Sequence, residues 1–277
     1  MAGTWSTLDV AVTGRAWRVG LRRPDARPPA RPGTGSALSM AMLGELSAVI
    51  DRAADQGVAL LTLEGGRDEF CSGMDFRDVA NLPEGQTSRG LHEAFAGTLR
   101  RLAGSPLVTV AVVEGAALGG GVGLAAACDR VIATPTARFA LPEALWGLVP
   151  ALAGLYLKRR IGAHRAAAMA LTTEPVTART AETYGLVDEI VADGPADGAV
   201  RRLSLRLGRL PAGSAAAVKA LFHGGLPMDP ADEARAVDAI TGLTDRPALR
   251  AGLRRYLETG VAPWASPAST DGKEPNP

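Results

Sequence analysis

Hydrophobic positions along this chain switch repeatedly between strand and helix periods. Leu8–Thr13 and Ala16–Leu21 alternate apolar and polar residues around Gly14-Arg15 and predict a strand pair. Between Ser36 and Ala54, Leu38, Met42, Leu46, Val49 and Ile50 recur at helical spacing and predict a helix with one buried face. Val58–Leu63 and Val108–Val113 are unbroken apolar runs of strand length, as expected of buried strands. Asn81–Arg89 is polar and irregular and is expected to form a mobile flap, with a helix after it through Leu102. Val122–Ala127 reads as a helix, and Arg130–Ala133 with Ala137–Ala140 as short strands around a Pro135 turn.

Beyond Pro150 the period becomes helical. Ala151–Arg160, His164–Leu171 and Ala178–Tyr184 predict helices, and Leu186–Val191 a last strand. Ala196–Leu210, Gly213–Phe222, Pro230–Thr241 and Pro247–Glu258 predict further helices. Two segments break the pattern. Arg22–Gly35, with Pro24, Pro28, Pro29 and Pro32 among Arg22, Arg23, Arg27 and Arg31, reads as a loop. Ala265–Pro277 reads as a disordered tail. The expected division is a core over 1–195, a helical packing and oligomerisation region over 196–264, and the tail over 265–277.

Composition narrows the function classes. With 277 residues, 47% of them hydrophobic, the chain can fill a large core. A net charge of +1 offers no electrostatic case for nucleic acid or a membrane surface. Cys71 and Cys128 suit buried thiols better than a secreted disulfide framework. The N-terminus shows no signal pattern, and no apolar run approaches the ~20 residues of a membrane span. A soluble, cytoplasmic protein is expected.

The candidate chemistry lies in two glycine turns. Phe70-Cys71-Ser72-Gly73-Met74-Asp75-Phe76 and Leu118-Gly119-Gly120-Gly121-Val122-Gly123 each follow an apolar run and open a helix-like one. Such turns leave backbone N–H groups free beside a positive helix terminus. Two of them aimed at one point form an oxyanion hole; read separately, each is only a tight connection. Downstream, Phe139-Ala140-Leu141-Pro142-Glu143 sets a carboxylate at an apolar, proline-fixed corner. Its neighbours Leu141, Leu145 and Trp146 should raise its pKa.

The ordered set Ser72-Gly73-Met74-Asp75, Gly119-Gly120-Gly121 and Pro142-Glu143 resembles the enoyl-CoA hydratase/isomerase (crotonase) superfamily, over about Trp17 to Trp264. The resemblance implies an α/β fold, a spiral of ββα units with a helical C-terminal region. It implies the N–H groups of Met74 and Gly120 as oxyanion donors and Glu143 as the catalytic acid–base. Gly73, Asp75, Gly119, Gly121, Leu141 and Trp146 would surround the thioester, although Asp75 reads more readily as a structural residue that caps the next helix or holds the loop. Glu114 reads as a turn residue. His92 borders the flap and is a weaker pocket candidate, whereas His164 and His223 read as surface residues. Many hydratases of the superfamily carry a second glutamate at the position of Gly123; this chain does not.

Three segments resemble one branch of the superfamily more closely: the glutamate-free glycine turn, Phe139–Ala151, and Arg255-Tyr256-Leu257-Glu258-Thr259-Gly260 with Pro263-Trp264. They resemble the dehydratases of polyketide β-branching cassettes. That implies water removal from a 3-hydroxy-3-methylglutaryl-type thioester on the phosphopantetheine arm of an acyl carrier protein. No metal and no cofactor beyond that arm, or CoA, is implied; a homotrimer or hexamer is. Arg22 and Arg23, with Arg27 and Arg31, would meet an acidic carrier protein or CoA phosphates, or form a solvated loop. The alternatives are a hydratase or Δ3,Δ2-isomerase of free CoA thioesters, a decarboxylase of the same cassette, and a non-catalytic carrier-binding component.

Overall fold

The computed structural model describes residues 5–21, 36–191, 196–211, 213–222 and 228–264. The arginine-rich loop with Arg22 and Arg23, His223 and the tail 265–277 lie outside them. A hairpin of β1 (Asp9–Thr13) and β2 (Ala16–Gly20) leads to α1 (Met40–Asp55). Strand–strand–helix turns follow. The first is β3 (Leu60–Glu64), β4 (Glu69–Cys71), α2 (Phe76–Ala80) and α3 (Arg89–Gly104); the second is β5 (Val108–Val113), β6 (Ala116–Leu118) and α4 (Gly120–Ala127). The third is β7 (Arg130–Ala133), β8 (Arg138–Ala140), a 3₁₀ turn (Pro142–Trp146), α5 (Ala151–Ile161) and α6 (Ala163–Thr172). After β9 (Val176–Thr177), α7 (Ala178–Tyr184) and β10 (Glu189–Ile190) come α8 (Asp197–Leu207), α9 (Ser214–Phe222), α10 (Pro230–Thr244) and α11 (Pro247–Thr259).

Each turn gives one strand to each of two sheets. One runs β1-β2-β3-β5-β7-β10 and the other β4-β6-β8-β9. Pairing is parallel except at the β1–β2 hairpin and between β8 and β9. Period-two alternation decides which core each side chain joins. Leu61, Leu63, Ala111, Val113, Val131 and Ala133 point into the main core. Leu60, Val110, Val112 and Ile132 point the opposite way and are covered by Ala199, Val200 and Leu207 of α8. Burial on both faces explains why the central strands read as unbroken apolar runs. Cys71 and Cys128 are buried free thiols, each pushed up to about 12 by desolvation.

Three sequence expectations need correction. The helix expected from Ser36 begins only at Met40, capped by the Ser39 hydroxyl, because Leu38 makes a parallel bridge to Met74. The last strand, expected over Leu186–Val191, pairs only through Glu189 and Ile190. The segment 81–88 is irregular as expected, but fastened rather than loose. Ser88 N–H donates to Asp245 at 2.9 Å, Thr87 also bonds Asp245, and Arg250 donates to the Gln86 carbonyl at 2.7 Å.

Candidate active site

Three neighbouring parallel strands deliver the parts of the site. β4, β6 and β8 lie side by side, so the loops leaving their C-terminal ends emerge along one edge. β4 leads to Ser72–Asp75, β6 to Gly119 and Gly120, and β8 to Leu141–Glu143. The Gly119 N–H donates to the Ala140 carbonyl at 2.9 Å, tying the second loop to the third. A Cβ added to Gly73 would lie 3.4 Å from the Gly120 nitrogen, so the first two loops also touch.

Leu38 aims the first loop. Its N–H donates to the Gly73 carbonyl at 2.8 Å, and its carbonyl accepts from the Asp75 N–H at 3.1 Å. In a parallel bridge the intervening residue turns its own N–H away from the partner strand. The Met74 N–H accordingly has no hydrogen-bond partner among the described residues. Gly120 is the first residue of α4, and its N–H is one that no helical carbonyl reaches. It too lacks a partner among the described residues. Both residues line one cavity of about 100 Å³, together with Ser72, Gly73, Gly119, Pro142, Glu143 and Trp146. Two unpaired amides on one wall, one at a helix N-terminus, suit a carbonyl oxygen that gains negative charge.

Glu143 stands at the start of the 3₁₀ turn, directly after Pro142. The residue is half-buried, but its carboxylate end is inside: Oε2 is out of solvent and has no hydrogen-bond partner. Desolvation raises its pKa to about 7, against a smaller opposing contribution from its own backbone. The carboxylate lies against Gly119, where an added Cβ would stand 2.9 Å from Oε1. Gly119 also holds φ +51° and ψ −111°, a conformation open to glycine. The site therefore holds one carboxyl group, poised between its charged and neutral forms at neutral pH, beside two unpaired amides.

The position of the absent second glutamate is filled. A Cβ on Gly123 would meet the Ala153 Cβ at 3.0 Å, the Ala153 Cα at 3.1 Å and the Phe95 Cζ at 3.2 Å. α5 packs against α4 so closely there that a side chain would need Ala153 and the Phe95 ring to give way by a few tenths of an ångström. Gly123→Glu is therefore expected to destabilise the fold by about 1–3 kcal/mol or more through overpacking. It should confer no hydration of crotonyl-CoA. Denaturant unfolding and that assay check it; a stable variant that hydrates crotonyl-CoA would contradict this account of Gly123.

The sequence-predicted residues divide. Gly73, Met74, Gly119, Gly120, Glu143 and Trp146 line the cavity, and so does His92. Asp75, Gly121 and Leu141 do not. The Asp75 carboxylate caps α2 through the Arg77 N–H and pairs with the Arg77 guanidinium at 2.7 Å, which uses its oxygens structurally. Gly121 is packed onto the Cys71 carbonyl, and Leu141 is fully buried in the main core. Glu114 lies at a strand end beside Arg18 and Glu64, away from the cavity. His164 is exposed.

Sequence reasoning missed Phe76 in the lining and the rings that pack on Trp146. Phe76 meets Trp146 edge-on at 4.7 Å, Tyr256 meets Trp146 at 5.0 Å, and Trp264 meets it at 4.8 Å. Such ring pairs add about 0.5–1.5 kcal/mol each beyond area burial. Phe95 of α3, Ile240 and Thr244 of α10 and Leu253 of α11 complete the lining, with the Phe95 ring beside Gly120. The Tyr256 and Trp264 signature was visible in the sequence, but not its contact with Trp146.

Known proteins share the sequence and the fold of this chain. Residues 30–267 match the model of the enoyl-CoA hydratase/isomerase family. The chain is 32% identical to the bacillaene synthase dehydratase PksH of Bacillus subtilis, over 94% of this chain and 97% of that protein. It is 37% identical to a probable enoyl-CoA hydratase of Rhodobacter capsulatus, over 82% of this chain and 89% of that one. The crystal structure of PksH superposes with a TM-score of 0.81 at 28% identity, covering 94% of this chain and all of the other.

Proposed function

The chain belongs to the enoyl-CoA hydratase/isomerase family, and we propose that it acts there as a dehydratase. Its substrate is a 3-hydroxy-3-methylglutaryl-type thioester carried on the phosphopantetheine arm of an acyl carrier protein, and its product a 3-methylglutaconyl-type thioester. The observation that carries this reading is the single buried carboxylate of Glu143 beside two unpaired amides, with the place for a second carboxylate filled by Ala153 and Phe95. Hydration by two carboxylates divides water activation from proton delivery; one carboxylate must do both halves in sequence. The likeness to a dehydratase over nearly the whole chain supports the direction of reaction.

The thioester oxygen enters between the Met74 and Gly120 N–H groups, which stabilise the enolate as it forms. The ionised Glu143 removes a proton from the α-carbon and becomes neutral. The enolate then expels the β-hydroxyl, and Glu143 returns its proton so that the group leaves as water. Atoms and charge balance: substrate becomes enoyl thioester plus one water, and Glu143 ends ionised. A carboxyl near pKa 7 suits both roles, since it is neither too weak a base nor too weak an acid at neutral pH.

Mass spectrometry of the loaded carrier protein tests this reading. The expected product has lost one water from the hydroxymethylglutaryl carrier thioester, with turnover well above that of the matching CoA thioester and above hydration of crotonyl-CoA. Loss of carbon dioxide, or faster hydration of crotonyl-CoA, would overturn it.

A further inference from the structure

The cavity has polar lining that the elimination chemistry does not use. His92 lines it from α3 and Thr244 from α10, together with apolar Ile240, Phe95 and Leu253. His92 is buried, and its Nδ1 lies 3.0 Å from the Thr241 hydroxyl. Thr241 and Thr244 are three residues apart in α10 and so share a face. The Thr244 residue is 3% exposed, and its hydroxyl is buried without a hydrogen-bond partner. A buried hydroxyl left unpaired forgoes the hydrogen bonds that water would give it. Its position in the wall of a substrate cavity points to an acceptor that arrives with the ligand.

We infer that His92 and Thr244, with Thr241 holding the His92 ring, receive a terminal carboxylate at the far end of the acyl group. This rests on reading the cavity as the thioester site. In the imidazolium both ring nitrogens carry hydrogen, so with Nδ1 engaged by Thr241 the Nε2–H of His92 is the donor left for the ligand, and the Thr244 hydroxyl is the second. Glu143 lines the same cavity from the loop after β8, so one ligand can meet both the acid–base group and these two donors. An acyl group ending in methyl would leave both donors unpaired, which is how a polar site rejects an apolar analogue.

Charge follows from the surroundings. Burial lowers the His92 pKa to about 4, opposed by Asp245 and helped by Arg89. Asp245 is itself bound by Arg250 at 2.7 Å, and Arg89 by Glu93 and Asp238, so these charges are largely spoken for. A carboxylate arriving beside the ring favours the imidazolium. Binding is then coupled to proton uptake at His92, and affinity falls as pH rises.

The test uses two unreactive ligands that lack the β-hydroxyl, 3-methylglutaryl-pantetheine and 3-methylbutyryl-pantetheine, with the intact protein. The chain holds three histidines, so ring resonances of His92 can be assigned by substitution of the other two. The glutaryl ligand is expected to bind at least tenfold tighter at pH 6 and to raise the His92 titration midpoint by more than one pH unit, whereas the butyryl ligand leaves it unmoved. Thr244→Val should remove most of that preference while keeping or raising Tm, because it deletes a hydroxyl with no partner in the empty protein. Equal affinity for the two ligands, an unmoved His92 midpoint, or full preference in Thr244→Val would each overturn the inference. Because no turnover is measured, its failure is separable from failure of the dehydratase reading.

Discussion

Replacing Glu143 by glutamine is expected to lower water elimination by about 10⁴-fold, the upper end for a general acid–base, since one group performs both transfers. Affinity for the thioester should stay within a few fold, because the amides of Met74 and Gly120 are untouched. The variant should also be more stable, in a pH-dependent way. In the folded protein Glu143 titrates near 7 against an ordinary 4.5, because burial disfavours its charge. The folded state therefore binds more protons than the unfolded chain between those values. Stability contributed by the neutral carboxyl is complete below about pH 4.5 and is lost as pH rises through about 7. The loss is on the order of 3 kcal/mol. Glutamine carries no such penalty, so unfolding curves of the two proteins should diverge from pH 5 to pH 8, glutamine above. In the wild type, kcat/KM should climb with pH to an inflection near 7. Curves that stay parallel, or an inflection that persists in the variant, would remove Glu143 from the titrating role.

Met74→Pro is expected to lower kcat by about 10²–10³-fold, the effect of deleting one oxyanion donor. Proline removes the N–H, and because it also fixes φ and restricts the residue before it, Tm is measured beside kcat to show that the variant is folded. The bridge that holds this loop uses the Leu38 N–H and carbonyl with Gly73 and Asp75, so no structural hydrogen bond is lost with the Met74 amide. Met74→Leu keeps the amide and should remain within a few fold of wild type. The equivalent change at Gly120 is less clean, since an added Cβ there meets Leu38 Cδ1 at 3.0 Å and Phe95 Cζ at 3.3 Å. A folded Met74→Pro protein with kcat within tenfold of wild type would show that its N–H is not a donor to the reacting oxygen.

What was legible in the sequence follows from locality. The glycine turns and Pro142-Glu143 are contiguous signals, and they end on neighbouring strands. The strands β4 and β6 were not foreseen: each is three residues long, and the β4–β6 register shifts within it. Leu38 fits the apolar face of the following helix, so periodicity assigned it there although its backbone serves Met74. Asp75 illustrates a different limit. A carboxylate beside an oxyanion residue looks chemical, yet the free N–H groups of α2 and the Arg77 guanidinium claim it. Of the lining around His92 only that residue was legible, as a weaker candidate, because the rest joins α3 to α10 and α11, elements remote in sequence. His92 and Thr241 meet across 149 residues. Nothing in either helix marks its polar residue as facing a cavity until both are packed.

The measurement that most directly probes a single acid working beside two amides is the fate of the α-carbon bond. A hydroxymethylglutaryl carrier thioester bearing two deuterons at the α-carbon can be followed with wild type and Glu143→Gln side by side. The wild type should cleave one carbon–deuterium bond for each water lost, while the variant should yield neither enoyl product nor deuterium in solvent. Deuterium washing out of the substrate at the wild-type rate in Glu143→Gln would mean that another group takes the proton, and that Glu143 is not the base.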